Sequence, residues 1–264
     1  MIRRRRLRAV LAAAVAAFLV SACASNPSPK DQEHSDQSRS RIYLKLGVAY
    51  LQQGKPREAL RKLEKAKSLR GDDARVYNAL GLTYQQLGFD DKAERAFQEA
   101  VDLDPKDPQV RNNYGVFLAQ LGEYDRAHQQ FEKALANPLY SNPENAYFNL
   151  GWLARRQDQP GKAEDMLRTA LRLRSNYTRA RLALARLLRD QGRSDEARDQ
   201  VIQVLSREPK NVQGHLLAAE MAMAAGDKEA ARKHLDKVAD IAPDSPAGQR
   251  ARRMMQQLEG SRGS

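Results

Sequence analysis

One side chain in the sequence stands in a setting suited to covalent chemistry, and that is Cys23. It is the only cysteine among 264 residues, so an intramolecular disulfide is excluded. The aliphatic Val20 and the small residues Ser21 and Ala22 come directly before it. Small residues let a chain lie extended in a narrow peptidase site, and the thiol that follows is a nucleophile. The pattern predicts that Cys23 accepts a diacylglyceryl group.

Residues 1–22 have the features of a secretory signal peptide. Basic residues fill the stretch from Arg3 to Arg8, and the uncharged run from Ala9 to Ala22 follows. That run is too short for a transmembrane helix, which needs about 20 apolar residues. The segment from Val20 to Cys23 resembles the bacterial lipobox. The alternative is a lone buried cysteine after an ordinary signal peptide.

We expect the lipid on Cys23 to hold the protein at the periplasmic face of the outer membrane. Several acyl chains on one cysteine suffice for stable anchoring. Residue 24 is Ala24 and not the aspartate that, by resemblance, signals inner-membrane retention in enteric bacteria. Residues 23–39 are polar and almost free of aliphatic side chains, so we expect the lipidated cysteine to be followed by a flexible tether.

Composition favours a helical protein, and the distribution of charge does not favour a nucleic-acid partner. Aromatic residues make up only 6% of the chain, and charged residues make up 30%. The net charge of +12 is partly due to the arginines of the signal peptide, and most other charges alternate in sign along predicted helices. A nucleic-acid partner is therefore not expected.

No enzyme signature is present in the sequence. The four histidines have no metal-ligand spacing, and no glycine-rich phosphate loop occurs. We therefore expect no catalysis, no metal, no small-molecule substrate and no cofactor besides the covalent lipid on Cys23.

A period of 34 residues fills the rest of the chain. Gly54, Gly88 and Gly122 follow it, as do Gly192 and Gly226. Alanines keep the same spacing, with one step of 36: Ala59, Ala93, Ala127, Ala163, Ala197 and Ala231. This period is typical of the tetratricopeptide repeat, which is a pair of antiparallel helices. The predicted fold class is all-α, a right-handed superhelix of six repeats with a C-terminal capping helix.

In each repeat the two helices are predicted to approach each other most closely at a glycine of the first helix. We expect Gly47 and Gly81 to lie where the two helices cross, faced by Ala59 and Ala93. Aliphatic and aromatic residues at helical spacing should form the core: Tyr43, Leu46, Tyr50, Tyr77, Leu80 and Tyr84. The later glycine of each repeat should form the turn between the helices, and a proline should stop the second helix.

The predicted solenoid covers residues 40–258, and residues 259–264 should be a disordered tail. The predicted repeats and cap are 40–73, 74–107, 108–143, 144–177, 178–211, 212–245 and 246–258. The third repeat has two extra residues, which we place in the loop from Asn137 to Pro143. The last two repeats replace the early glycine with Ala185 and Ala219, and its upstream aromatic residue with Arg181 and His215.

The first helices of such repeats line a concave face, and this face is where a partner is expected. Residues at the second, fifth, ninth and twelfth places of each repeat should point to this face. Nine of them are candidate partner-binding residues: Leu44, Val48, Leu51, Asn78, Leu82, Asn112, Val116, Phe148 and Trp152. Exposed apolar and aromatic side chains tend to mark binding sites. The alternative for the apolar strip of the first two repeats is that the tether or superhelical packing covers it. Phe148 and Trp152 have an equally good alternative, which is packing against the neighbouring repeat.

The central repeats resemble the PilF/PilW family of type IV pilus biogenesis lipoproteins. The similarity lies in Asn112-Asn113-Tyr114-Gly115 and in Pro138-Leu139-Tyr140, followed by Tyr147, Asn149 and Gly151. The resemblance implies a pilotin, which binds the pilus secretin (PilQ), brings it to the outer membrane and promotes its multimerisation. It assigns partner binding to the first repeats, hence to Leu44, Val48, Leu51, Asn78 and Leu82 by their position. The alternative function is an envelope scaffold or adaptor for cell-wall enzymes or outer-membrane assembly factors.

The lipid anchor generates the first testable prediction. Cys23→Ser removes the nucleophilic thiol, so the protein should move from the membrane fraction to the soluble periplasm. Fractionation followed by mass spectrometry of the N-terminal peptide measures both location and acylation. Sedimentation of the variant with outer membranes, as for the wild type, would refute the lipid attachment.

Overall fold

The computed structural model describes residues 28–260, which form two compact units. Unit 1 ends at Leu103, and unit 2 begins at Asp104. The signal peptide, Cys23 and residues 261–264 lie outside the described residues. The sequence predicts one uninterrupted solenoid. A division is compatible with such a chain, since each repeat contacts only its neighbours.

All regular structure in residues 28–260 is helical, which confirms the predicted all-α fold class. Unit 1 holds α1 (Pro29–Gln52), α2 (Pro56–Leu69), α3 (Ala74–Gln86) and α4 (Asp90–Leu103). Unit 2 holds α5 (Pro108–Gln120), α6 (Tyr124–Leu135), α7 (Pro143–Arg156), α8 (Pro160–Leu173), α9 (Thr178–Asp190), α10 (Ser194–Arg207), α11 (Val212–Ala224), α12 (Lys228–Ile241) and α13 (Pro246–Gly260). The helices pair as the period predicts, and α13 is the capping helix.

Helix α1 begins at Pro29, so the predicted flexible tether over residues 23–39 is wrong for its C-terminal part. The Ser28 hydroxyl accepts a hydrogen bond from the Asp31 backbone N–H, and the Ser28 backbone N–H donates to the Asp31 carboxylate. This capping box, with proline at the first helical position, starts a helix without apolar burial. The capping helix similarly extends to Gly260, past the predicted end of the solenoid.

The turns between paired helices depend on backbone with positive φ. Five repeats place glycine there, at Gly54, Gly88, Gly122, Gly192 and Gly226, with φ between 68° and 83°. The fourth repeat places Asp158 at this position, with φ 54°. Glycine adopts this conformation without steric cost, whereas an aspartate side chain makes it unfavourable.

The close crossing of paired helices is confirmed at the predicted glycines, but with a different partner. A Cβ atom added to Gly81 would lie 2.8 Å from the Phe97 ring, and one added to Gly47 would lie 2.6 Å from Leu63. The atoms nearest to these two glycines thus belong to Leu63 and Phe97 and not to Ala59 and Ala93, whereas in the fourth repeat the Ala163 carbonyl oxygen would lie 3.2 Å from a Cβ atom added to Gly151. A large side chain one helical turn after each alanine covers the glycine, because side chains of a helix lean toward its N-terminus.

Leu46 is 41% exposed, although it is predicted to be core. Its counterpart one repeat later, Leu80, is 1% exposed. Leu80 packs among side chains of the preceding helix α2. Within the described residues no helix precedes α1, so the equivalent surface around Leu46 has no neighbour. The first repeat therefore has an apolar end face that periodicity alone does not reveal.

Polar residues replace the aromatic side chain upstream of the glycine in three repeats of unit 2. Arg111, Arg181 and His215 each contact the carbonyl oxygen six residues earlier, at N···O distances between 2.6 and 3.0 Å. Each also contacts a polar side chain of the second helix, and Arg181 and His215 are buried. These three repeats thus replace apolar contact with hydrogen bonds to a backbone carbonyl and to a polar side chain of the second helix.

The two extra residues of the third repeat lie in the loop 136–142, as predicted. The Asn137 side-chain amide donates to the Lys106 carbonyl oxygen at 2.8 Å, which ties this loop to the preceding one. Tyr140 is 7% exposed, and burial raises the pKa of its hydroxyl. Leu139, between these residues, is 84% exposed.

Gly81→Leu tests the helix crossing. The new side chain must displace the Phe97 ring, so unfolding should become easier by about 1–3 kcal/mol. Thermal unfolding followed by circular dichroism measures the change. The control is Gly161→Leu, since a Cβ atom at Gly161 meets no atom within 4 Å. Equal midpoints for the Gly81 variant and the wild type would contradict the crossing.

Asp158→Gly tests the turn of the fourth repeat. Glycine tolerates the positive φ, so the substitution should stabilise unit 2. Because glycine also raises the conformational entropy of the unfolded chain, the free energy of unfolding should increase by no more than about 1 kcal/mol. Gly192→Ala places a side chain in the same turn one repeat later, and it should destabilise by about 1–2 kcal/mol. Chemical denaturation of both variants measures the two opposite shifts. A loss of stability in Asp158→Gly would show that the aspartate is favourable there.

Candidate partner-binding surface

The five partner-binding residues predicted in the first two repeats lie together in unit 1. Leu44, Val48 and Leu51 come from α1, whereas Asn78 and Leu82 come from α3. They line a groove with a volume of about 720 Å³, and the buried Ala79 lies at its floor. We call this feature the unit 1 groove.

Helical register explains why these side chains remain accessible. Gly47 and Gly81 face the second helix of their repeat, and the groove residues lie on a different side of the same helices. Val48 is 37% exposed, whereas Leu44 and Leu82 are half-buried. Leu44 also packs against the buried core of unit 1. The groove is therefore an apolar surface continuous with the core.

The rim of the unit 1 groove is positively charged. Arg41, Lys45 and Arg75 line it together with glutamines, and no acidic residue does so. Arg75 pairs with Asp73 at 2.7 Å, and its side chain is 59% exposed. The hydrogen bond from Arg75 lowers the pKa of the Asp73 carboxyl, which also accepts from the backbone N–H at the start of α3. Such a groove suits an extended segment with apolar side chains and negative flanks.

Two predicted partner contacts in unit 2 are not accessible. Asn112 is 5% exposed, and its side-chain oxygen Oδ1 accepts a hydrogen bond from the side-chain amide of Asn149 at 3.0 Å. Phe148 is 9% exposed and contacts the Tyr177 ring, with centroids 5.4 Å apart. The expectation that these two side chains meet a partner is therefore wrong, and repeat-to-repeat packing explains the aromatic residue.

The other two predicted contacts of unit 2 keep some exposure. Val116 is half-buried on α5. Trp152 is also half-buried, with the Tyr124 ring edge-on at 6.4 Å and the Arg156 guanidinium 5.4 Å from its centroid. It is the only tryptophan of the chain. These contacts hold the indole in place while leaving part of it open to solvent.

Sequence reasoning missed the accessibility of Leu139. An Asx turn, in which Asn137 accepts from the Leu139 backbone N–H at 2.9 Å, directs the loop around it. The sequence signal for this turn is Asn137 followed by Pro138, a pair that favours turns. This signal predicts the turn, but it does not predict that the Leu139 side chain faces solvent.

Residues 28–260 contain neither a candidate metal site nor a candidate membrane-spanning helix. Within 28–260, no group of three or more histidine, cysteine, aspartate or glutamate side chains is placed to hold a metal ion. No helix in the same range is long and apolar enough to cross a membrane.

Sequence comparison identifies the repeats. The family model of the tetratricopeptide repeat matches most of the chain, in overlapping segments 44–108, 78–142, 117–178, 148–203 and 182–246. No curated protein sequence matches the chain.

Two type IV pilus proteins are among the similar solved structures. The structure of PilW, described as a widely conserved type IV pilus biogenesis factor, is 28% identical with a TM-score of 0.72. The match covers 80% of this chain and 96% of PilW. PilF of Pseudomonas aeruginosa is 24% identical with a TM-score of 0.71, covering 86% of this chain and 99% of PilF. YrrB, a repeat protein with an unusual peptide-binding site, is 26% identical with a TM-score of 0.51, covering 72% of this chain and 97% of YrrB.

Proposed function

Because the chain belongs to the tetratricopeptide repeat family, we propose that it is a non-catalytic binding protein of type IV pilus biogenesis that captures the pilus secretin. The unit 1 groove is the observation that carries the proposal. Leu44, Val48, Leu51 and Leu82 together form an apolar surface on the first helices of two adjacent repeats. An apolar groove with a polar rim is typical of a partner site.

The likeness to PilW supports the pilus system over other envelope roles. The match covers 96% of PilW and 80% of this chain, so it is not confined to one repeat. The resemblance of the irregular third repeat points the same way, because its two extra residues form a loop held by Asn137. Both observations support the proposal that this chain acts as a pilotin of the PilF/PilW kind.

Capture in the unit 1 groove would act through peptide recognition. A secretin segment with two or three apolar side chains could bury them against the leucines of α1 and α3, at about 25 cal/mol per Å² of apolar surface. The cationic rim of Arg41, Lys45 and Arg75 would favour acidic flanks and speed the encounter.

The lipid on Cys23 would help captured secretin subunits to assemble. Anchored copies that hold secretin subunits at the outer membrane raise the effective concentration of those subunits. The helical start of α1 changes the expected geometry, since only residues 24–28 separate Cys23 from the helix. The eleven residues from Pro29 to Arg39 form a helical spacer about 16 Å long, at 1.5 Å per residue. The groove would thus stand at a defined distance from the membrane.

The double variant Leu44→Glu, Leu82→Glu tests the proposal. Each carboxylate would have to be desolvated against an apolar partner, so secretin affinity should fall at least about 30-fold, which corresponds to a hot-spot loss of about 2 kcal/mol. Heat- and detergent-resistant secretin multimers and surface pili should be lost, while helicity and membrane attachment persist. Pull-down of the secretin, multimer gels and circular dichroism measure these outcomes.

The matched control is Leu173→Glu, Ile202→Glu, which adds the same charge at positions 52% and 55% exposed outside the groove. It should behave as the wild type. Normal secretin multimers in the groove variant would remove the groove from secretin capture. The envelope scaffold would be favoured if both variants still bind the secretin, whereas the groove variant no longer binds a cell-wall enzyme or an outer-membrane assembly factor.

A further inference from the structure

Arginines concentrate on the first-helix face of the last three repeats of unit 2, where the proposed function assigns no role. Arg155 lies on α7, Arg186 and Arg189 lie on α9, and Arg250 lies on the capping helix. In the repeat register Arg186 is the counterpart of Val48 and Leu82, which line the unit 1 groove. At this position of the repeat unit 1 thus carries apolar residues, whereas the fifth repeat carries an arginine.

Two carboxylates link three of these arginines. Asp190 contacts Arg155 at 3.2 Å through one oxygen and Arg189 at 2.9 Å through the other. Glu220 contacts Arg189 at 2.6 Å and Arg250 at 2.8 Å, again through different oxygens. Each carboxylate oxygen thus already meets a guanidinium.

Arg186 lacks an ion pair within residues 28–260, although it is half-buried amid these charges. Its one hydrogen bond within the described residues is a long one of 3.3 Å to the Gln213 side-chain oxygen. Burial lowers the pKa of the Arg186 guanidinium; Glu220 opposes this effect, while Arg189, Arg155 and Arg250 add to it. Four guanidiniums against two carboxylates leave a surplus of two positive charges, centred on a cation that lacks a counter-ion here.

We infer that this arginine surface, formed by Arg155, Arg186, Arg189 and Arg250, binds a carboxylate side chain on an acidic peptide segment. A guanidinium presents planar paired donors that match a carboxylate. A ligand carboxylate at Arg186 would supply the missing counter-ion without displacing an existing pair. Gln213 next to it offers an amide that can hydrogen-bond a peptide backbone.

A peptide fits this surface better than a polyanion does. Glu220 and Asp190 alternate with the arginines, so a uniformly charged phosphodiester chain or an anionic membrane would meet like charges along the face. A peptide can place a carboxylate at Arg186 and neutral residues beside the two acids. This inference goes beyond secretin capture and does not depend on it, since it concerns unit 2 alone.

Trp152 provides a site-specific signal for this binding. It precedes Arg186 by one repeat in the same register, and it is half-buried and the only tryptophan of the chain. A ligand on the arginine surface should therefore change its fluorescence. A ligand held elsewhere by general charge attraction should not.

The experiment titrates the full-length protein with a blocked short peptide rich in glutamate and aspartate, and with the same peptide carrying glutamine and asparagine. Only the acidic peptide should bind and change Trp152 fluorescence, and its affinity should fall as salt rises. Arg186→Gln should weaken binding about tenfold or more, as expected for loss of a charged hydrogen bond. Arg172→Gln, which removes one exposed arginine from a second helix, is the matched control and should bind as the wild type.

Arg155→Gln is a second variant, on the exposed rim, and should weaken binding severalfold even if Arg186→Gln does not fold. The groove variant Leu44→Glu, Leu82→Glu should bind the acidic peptide normally, so this inference and the proposed function fail independently. No binding of the acidic peptide, or equal weakening by Arg186→Gln and Arg172→Gln, would overturn the inference. So would tighter, Arg186-dependent binding of single-stranded DNA or of anionic phospholipid vesicles.

Discussion

The rest of the structure depends on the close approach of the two helices within each repeat. In the first four repeats a glycine of the first helix lies under a large side chain of the second: Leu63, Phe97, Phe131 or Leu167. The contact is so short that any added carbon would clash, so the separation of the helices is fixed by excluded volume. The last two repeats tolerate Ala185 and Ala219 at this position, both fully buried. Helix spacing therefore does not need glycine everywhere, but it needs a small residue everywhere.

This constraint also determines which face of each first helix remains open. One side is occupied by the second helix of its repeat, and another by the preceding repeat, as the difference between Leu46 and Leu80 shows. The remaining side is less constrained by packing, although some of its residues, such as Phe148, are buried. It carries leucines and a valine in the first two repeats and an arginine cluster around the fifth repeat, so one fold presents two surfaces of different chemistry.

The sequence predicts the fold well because its period reports local geometry. Turn glycines such as Gly54 require positive φ, and the crossing glycines require close approach, so both recur at 34 residues. What it could not predict depends on neighbours. Phe148 is hidden by Tyr177, and Leu46 is exposed because no helix precedes α1 within residues 28–260. The helical start of α1 was missed because it rests on the capping box at Ser28 and not on an apolar stripe. The groove was predictable because its residues lie on the same face of the first helices of two adjacent repeats.

The two open surfaces should respond differently to solution conditions, and this follows from their composition. Apolar burial in the unit 1 groove depends weakly on ionic strength, whereas exposed charges are screened beyond about 8 Å at physiological salt. The arginine surface contains both screened and less screened charges. Arg155 and Arg250 are about half exposed, whereas Arg186 is more buried. Salt should therefore remove the long-range attraction first and leave a short-range pairing at Arg186. Because ionic strength acts differently on the two surfaces, a segment bound in the unit 1 groove should be retained at a salt concentration that releases an acidic peptide from the arginine surface.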